Sequence, residues 1–437
     1  MSGEPGGPVE RLFGLKPEEA PVLLWSWLSV VAVLASYYVM RPIREQMGIG
    51  GGIENLPWLF TATLGAMVAL NAPFGWLVQR LPRVRFIPIA YRFFAANILL
   101  FALAFHLAAG EAAVWVGRAF FVWLSVFNLF AVSLFWQMMV DAFTSEQGKR
   151  LFGLIAAGAT VGAIAGSSAT ALLARSAPTW ALLLGAAVLL EAAAWSVRRL
   201  SRLSDALNQA PPSRSGEATV GGSAWSGAAH VLRSPYLLNI SLFLLLFSVT
   251  ATFLYFEQVG VAARAFPDRG AQTAFFATVD LAVNVLTLGI QLLLTGRVVR
   301  LLGVGGALAS LPALSLVGFA ALAAAPTLPA VVGFQVLRRA GNFGIARPTR
   351  EVLFTVVSRE DRYKAKNVID TIVYRLGDQV GAWSYPLVGA LGLGGRALPL
   401  LGAALSALWL LNAVWLGRRQ DALAGGEAAA PKEASAA

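Results

Sequence analysis

The chain has 437 residues, 57% of them apolar and only 13% charged, with a mean hydropathy of +0.67. That is far too apolar for a soluble domain of this size, so the chain reads as an all-α integral membrane protein. The formal charge of +11 does not point to nucleic acid, because the basic residues sit in short loops between apolar runs, where they act as topology signals. With no cysteine, disulfides, thiolate catalysis and Cys-ligated metal are excluded, and the two histidines, His106 and His230, stand far apart.

In chain order, residues 1–20 are polar and rich in Gly and Pro, and read as a cytoplasmic N-terminal segment. No cleavable signal peptide is visible, since the apolar run from Pro21 is a full span. Runs of membrane-spanning length follow at 21–46, 56–79, 86–108, 112–140, 151–174 and 179–200. The hydrophilic stretch 201–233 reads as a cytoplasmic linker. A second set occupies 236–262, 272–297, 301–325, 328–356, 364–391 and 396–417, ahead of a disordered tail, 418–437. Six spans, a linker and six spans is the layout of the major facilitator fold: about 12 transmembrane helices in two pseudo-symmetric six-helix halves, here 21–200 and 234–417. Basic residues cluster in alternate loops, from Arg80, Arg83 and Arg85 through Lys149, Arg150, Arg198, Arg199, Arg233, Arg297 and Arg300 to Arg359, Arg362, Lys364 and Lys366. This places both termini and the linker in the cytoplasm.

The halves repeat each other. Arg44 to Ile49 (REQMGI) matches Phe256 to Val261 (FEQVGV), Glu146 to Arg150 matches Glu360 to Lys364, and Gly162-x-x-x-Gly166 matches Gly377-x-x-x-Gly381. With Gly158, the span 5 glycines form a smooth ridge for close helix contact rather than a phosphate loop. A second repetition is the box Arg41-Pro42-Ile43-Arg44-Glu45, which returns as Arg347-Pro348-Thr349-Arg350-Glu351. In each box the first arginine and the glutamate share a helical face and can neutralise each other, whereas the middle arginine has no carboxylate at i±3 or i±4. Next to lipid a lone guanidinium needs a carboxylate on another helix or an anionic ligand. The alternative is that both boxes lie at span ends, with arginines snorkelling to the interface.

Spare arginines lining a chamber between two six-helix lobes suit an anionic solute, which a guanidinium grips through paired hydrogen bonds. The candidate substrate contacts are Arg41, Arg44, Arg339, Arg347, Arg350 and Arg375, and the candidate coupling or gating carboxylates are Glu45, Glu257, Asp280, Glu351, Asp370 and Asp378. Arg338 also falls near mid-span, and Arg375 and Asp378, three apart, can satisfy each other. Nearby aromatic residues (Tyr37, Tyr38, Tyr91, Phe94, Trp136, Phe343, Tyr374) either stack a flat group or simply pack.

Three segments carry a family resemblance: the first box, Val126 to Gly166, and Arg347 to Asp378. The chain resembles the ATP/ADP translocases, the nucleotide transporters of plastids and intracellular bacteria, and their broader bacterial relatives within the major facilitator superfamily. The resemblance sets Arg44 where the translocases place an essential lysine, and matches Pro348, Arg350 and Glu351 to a Pro-x-Lys-Glu element. It departs at Leu376-Gly377-Asp378, where the family has Leu-Gly-Lys, and at Leu124 to Asn128, which lacks the family's acidic residue. The 2–3 loop, Gly75 to Arg85, resembles the superfamily's gating loop but carries Gln79 for aspartate and Pro82 for glycine.

The reading is therefore a secondary transporter, not an enzyme. It moves an anionic solute, with nucleotides and phosphorylated metabolites as candidates, by alternating access across a bacterial cytoplasmic (inner) membrane. It is expected to act as a monomer in the lipid bilayer, with no metal, no cofactor and no nucleic-acid partner. The alternative is a proton-coupled exporter of lipophilic or cationic compounds, in which the carboxylates carry protons and Asp280 or Asp378 is essential.

Overall fold

A computed structural model of the chain describes residues 15–80, 83–207, 231–357, 365–366, 368–393 and 395–429. Most of the expected N-terminal segment and linker, the centre of the 2–3 loop (Leu81 and Pro82), His230, the basic residues of 358–364 and the end of the tail lie outside these residues. Nine long helices come first: α1 Ala20–Gly50, α2 Leu56–Arg80, α3 Arg83–Leu107, α4 Gly110–Ala142, α5 Ser145–Leu173, α6 Thr179–Leu207, α7 Pro235–Ala265, α8 Arg269–Leu293 and α9 Thr295–Ala324, the last bent at Gly303, whose φ is +67°. Then come α10 Leu328–Gly341, a π-helical turn Asn342–Ala346, α11 Arg347–Leu353, a second π turn Ile369–Val373, α12 Tyr374–Ala390 and α13 Ala397–Ala429. Among the described residues there is no strand. Only helices satisfy every backbone group within one segment in lipid, and among the described residues α1 to α9 with α13 are ten helices long and apolar enough to cross it. The protein is an all-helical, multi-pass membrane protein.

The other two expected spans, 328–356 and 364–391, are the ones interrupted by π turns, and they hold the second arginine box and its charged neighbours. Their charges remove them from the purely apolar set, and π turns are where helices recruit backbone for function. α13 runs through 418–429, where the tail was expected to begin, because this Ala-rich stretch meets no proline before Pro431.

The described residues fall into two compact units, one from 1–215 with 266–284, the other from 216–265 with 285–437. In the first, α1 packs most extensively on α5 and α6, and α3 on α6. The glycine ridge explains the closeness of α1 and α5. A methyl group added at Gly162 would sit 2.5 Å from the Val31 carbonyl oxygen, and one at Gly166 would sit 2.4 Å from that of Ala35. Ser36 donates to the Ala186 carbonyl and Thr170 to that of Val39, so polar side chains also tie the helices together. At the start of α1 the buried Glu19 accepts from Arg150 of α5 at 2.8 Å. In the second unit the repeat recurs. Gly377 and Gly381 of α12 meet α7, where added methyl groups would lie 2.6 Å from Ser248 Cβ and 2.7 Å from Thr252 Cβ.

Candidate functional site

The first arginine box lies in an unbroken part of α1, with Pro42 inside the helix. Its charges form a chain within the first unit. Asp280 of α8 contacts Arg41 Nη1 at 3.1 Å, Arg41 Nε lies 3.9 Å from Glu45 Oε1, and the same Glu45 oxygen accepts from Arg44 Nη1 at 3.0 Å. Arg44 Nε donates to the Phe121 carbonyl at 3.2 Å, and its guanidinium lies over the Phe121 ring, 3.7 Å from the centroid. Asp280 and Glu45 are buried, and Glu45 Oε2 has no hydrogen-bond partner. Two cations and two carboxylates therefore neutralise one another, but not all their hydrogen-bonding capacity is used.

The second box, in the other unit, is arranged differently. It opens α11 immediately after a π turn, with Pro348 in the first helical turn, where its missing N–H costs nothing. Arg347 is exposed, and Glu351 pairs with Lys366. Arg350 Nη2 lies 3.5 Å from Asp370 Oδ1 in the second π turn. That separation is an ion contact without a hydrogen bond, and both Arg350 Nε and Asp370 Oδ1 are buried without a partner. A turn further on, Arg375 Nη1 meets Asp378 Oδ2 at 3.1 Å, and Ser248 Oγ of α7 lies 2.6 Å from Asp378 Oδ1.

These distances correct the expected pairing in both copies. The middle arginines do have carboxylate partners. Arg44 is clasped by Glu45, since an arginine stem is long enough to curl back to the adjacent residue, and Arg350 is approached by Asp370 from a separate segment, beyond any i±4 rule. The first arginine and the glutamate of each box are not the main pair. Arg41 prefers Asp280, and Glu351 takes Lys366. Arg375 and Asp378 do satisfy each other.

Glu257 of α7 is half-buried and, among the described residues, has neither an ion pair nor a hydrogen bond. The repeat accounts for this, because Phe256 stands where Arg44 precedes Glu45, and it stacks on Tyr385 at 4.7 Å. Arg339 is half-buried at the end of α10. Its neighbour Arg338, absent from the expected contacts, is only 2% exposed. Of the aromatic candidates, Tyr91 and Phe94 belong to packing. The Tyr91 hydroxyl donates to the Ala131 carbonyl, and Phe94 meets Phe127 edge-on. Trp136 differs: with Asn128, Ser133 and Gln137 it lines a groove of about 670 Å³ along one face of α4, and Gln137 Oε1 there is buried without a partner.

Solved structures share this architecture. A bacterial homologue of the iron transporter ferroportin, in an inward-facing state, matches with a TM-score of 0.63 at 12% identity, covering 92% of this chain and 98% of that one. The nucleoside transporter NupG matches with a TM-score of 0.57 at 14% identity, over 93% and 99%. The chain has the major facilitator fold. Its sequence is 24% identical over 372 residues to ADP,ATP carrier protein 1 of Chlamydia muridarum, across 74% of this chain and 70% of that one. The corresponding carrier of Chlamydia trachomatis serovar D is 23% identical over 345 residues, across 70% and 65%. No family model matches the chain. These relatives and structural neighbours are carriers and transporters by name, not enzymes.

Proposed function

We propose that this major facilitator protein is a secondary transporter that moves an anionic solute by alternating access, with nucleotides and phosphorylated metabolites as the first candidates. One observation supports this reading most directly. The arginine–carboxylate contacts of the two boxes are incompletely satisfied, above all at Arg350 and Asp370, which stand 3.5 Å apart with the buried atoms Arg350 Nε and Asp370 Oδ1 unused. A buried polar atom without a partner is costly unless function retains it. A phosphate or carboxylate arriving at Arg350 supplies the missing acceptor and releases Asp370, so that solute binding is coupled to a charge rearrangement. Arg44, Arg41, Arg339, Arg347 and Arg375 are the further cationic candidates, with Glu45, Asp280, Glu351 and Asp378 as the carboxylates they would exchange for solute. The nucleotide candidates follow from the named carriers of Chlamydia that the chain resembles. Both termini in the cytoplasm, a place in the inner membrane and a monomeric carrier complete the reading.

The test is uptake into proteoliposomes, guided by a thermal-shift screen against nucleotides, sugar phosphates, organic acids and cationic compounds. Arg350→Ala should abolish uptake of the stabilising anion while the protein still inserts; undiminished uptake rules out its assignment. A second reading, proton-coupled export, is favoured by Glu257, a half-buried carboxylate with no ion pair among the described residues and so able to exchange a proton. It requires Glu257→Gln to stop transport driven by a pH gradient. Asp280 and Asp378 are weaker proton carriers than expected, because each is already held by an arginine.

A further inference from the structure

Away from the boxes, the second unit contains a buried cation with no counter-ion among the described residues. Arg338 of α10 reaches in among α7, α9 and α13 and is 2% exposed. Its Nε donates to Ser315 Oγ at 3.1 Å, and its Nη2 donates to the Phe247 carbonyl at 3.0 Å and to Thr250 Oγ1 at 2.7 Å. The rings of Phe247 and Trp409 flank the guanidinium at 5.1 and 5.7 Å. Among the described residues no carboxylate pairs with it, and its Nη1 donates to nothing. An arginine does not escape this situation by losing its proton. Neutral acceptors and ring faces weaken the cost of burying the charge, but they do not cancel it.

The surroundings define what is missing. Ser315 and Thr250 already donate their hydroxyl hydrogens, to the Leu311 carbonyl and to the Leu246 or Phe247 carbonyl, so they can only accept from Arg338. The groups left over are both donors: Arg338 Nη1, which makes no hydrogen bond among the described residues, and Nε1 of Trp409, an indole that is fully buried and has no acceptor. Two unused donors beside an uncompensated positive charge, next to the fully buried Ser315 and Thr250, call for a small, acceptor-only, negatively charged occupant.

We propose that Arg338 and Trp409 hold a buried monatomic anion of the halide class, a site separate from the box arginines. A water molecule would satisfy the donors but leave the charge. A halide does both, and its binding only to the folded state links anion concentration to stability. Purified protein is therefore to be melted in sodium chloride and sodium gluconate mixtures of constant ionic strength. The expected result is a Tm that rises with chloride along a saturable one-site curve, a flat response in Arg338→Met, and a several-fold higher half-saturating chloride in Trp409→Phe, which keeps the ring and removes the donor. Equal Tm values in chloride and gluconate overturn the proposal, as does an undiminished chloride response in Arg338→Met. Should that variant not fold, Trp409→Phe still decides through its half-saturation. Crystals of the unmodified protein grown in bromide decide independently: an anomalous peak within hydrogen-bonding distance of Arg338 Nη1 supports the site, and its absence overturns it.

Discussion

The two arginine boxes share four of five residue types and yet occupy opposite kinds of environment. The box of α1 lies in continuous helix, its proline and glutamate buried and its charges closed into a chain with Asp280 and Phe121. The box of α11 follows a π turn, its first arginine and proline exposed and its middle arginine only loosely approached by Asp370. Nearly the same local chemistry becomes a more fully paired network where the helix is continuous and a looser one where it is interrupted.

What the two units share sets the largest expected effect. Gly166→Val and Gly381→Val both drive side chains into a neighbouring helix, the first toward a backbone oxygen that cannot move aside. Both should prevent accumulation of folded protein, read by size-exclusion of detergent extracts; a well-folded Gly166→Val protein would break the structural equivalence of the halves. Next, Asp280→Ala leaves the half-buried Arg41 with the 3.9 Å contact to Glu45 as its remaining carboxylate contact among the described residues, and removing one partner of a buried pair costs up to about 3–5 kcal/mol. Asp370→Ala removes a contact already lacking a hydrogen bond, so its fall in Tm should be much the smaller of the two. Equal losses would erase the contrast between boxes. Third, Arg350→Lys keeps the charge but loses the planar fork, and should lower anion uptake about tenfold, the loss of roughly one good hydrogen bond to a charged group, with Tm nearly unchanged. The smallest effects are expected at the prolines. Pro348→Ala, at the first turn of α11, should shift Tm by about a degree or less, whereas Pro42→Ala, inside α1, should stabilise the helix measurably.

Much of this was legible in the chain itself. Twelve apolar or nearly apolar runs, the glycine spacing of spans 5 and 11, and the match of REQMGI to FEQVGV are all read from the one-dimensional pattern, and the helices and the close α1–α5 and α7–α12 approaches are their consequences. Partnerships across helices were not. Asp280 is more than two hundred residues from Arg41, and no local spacing rule could pair them. Arg338 and Arg339 are adjacent and look alike in sequence, yet the direction in which each helix face points made Arg338 the buried one.

By itself, then, the sequence determined that this protein is a helical membrane protein, because solvation in lipid and the helical repeat act residue by residue. Only the tertiary structure decided which charges are spoken for. Electrostatic pairing in a low-dielectric interior depends on distances of 3 to 4 Å between side chains from different helices, and such distances exist only once the helices have packed.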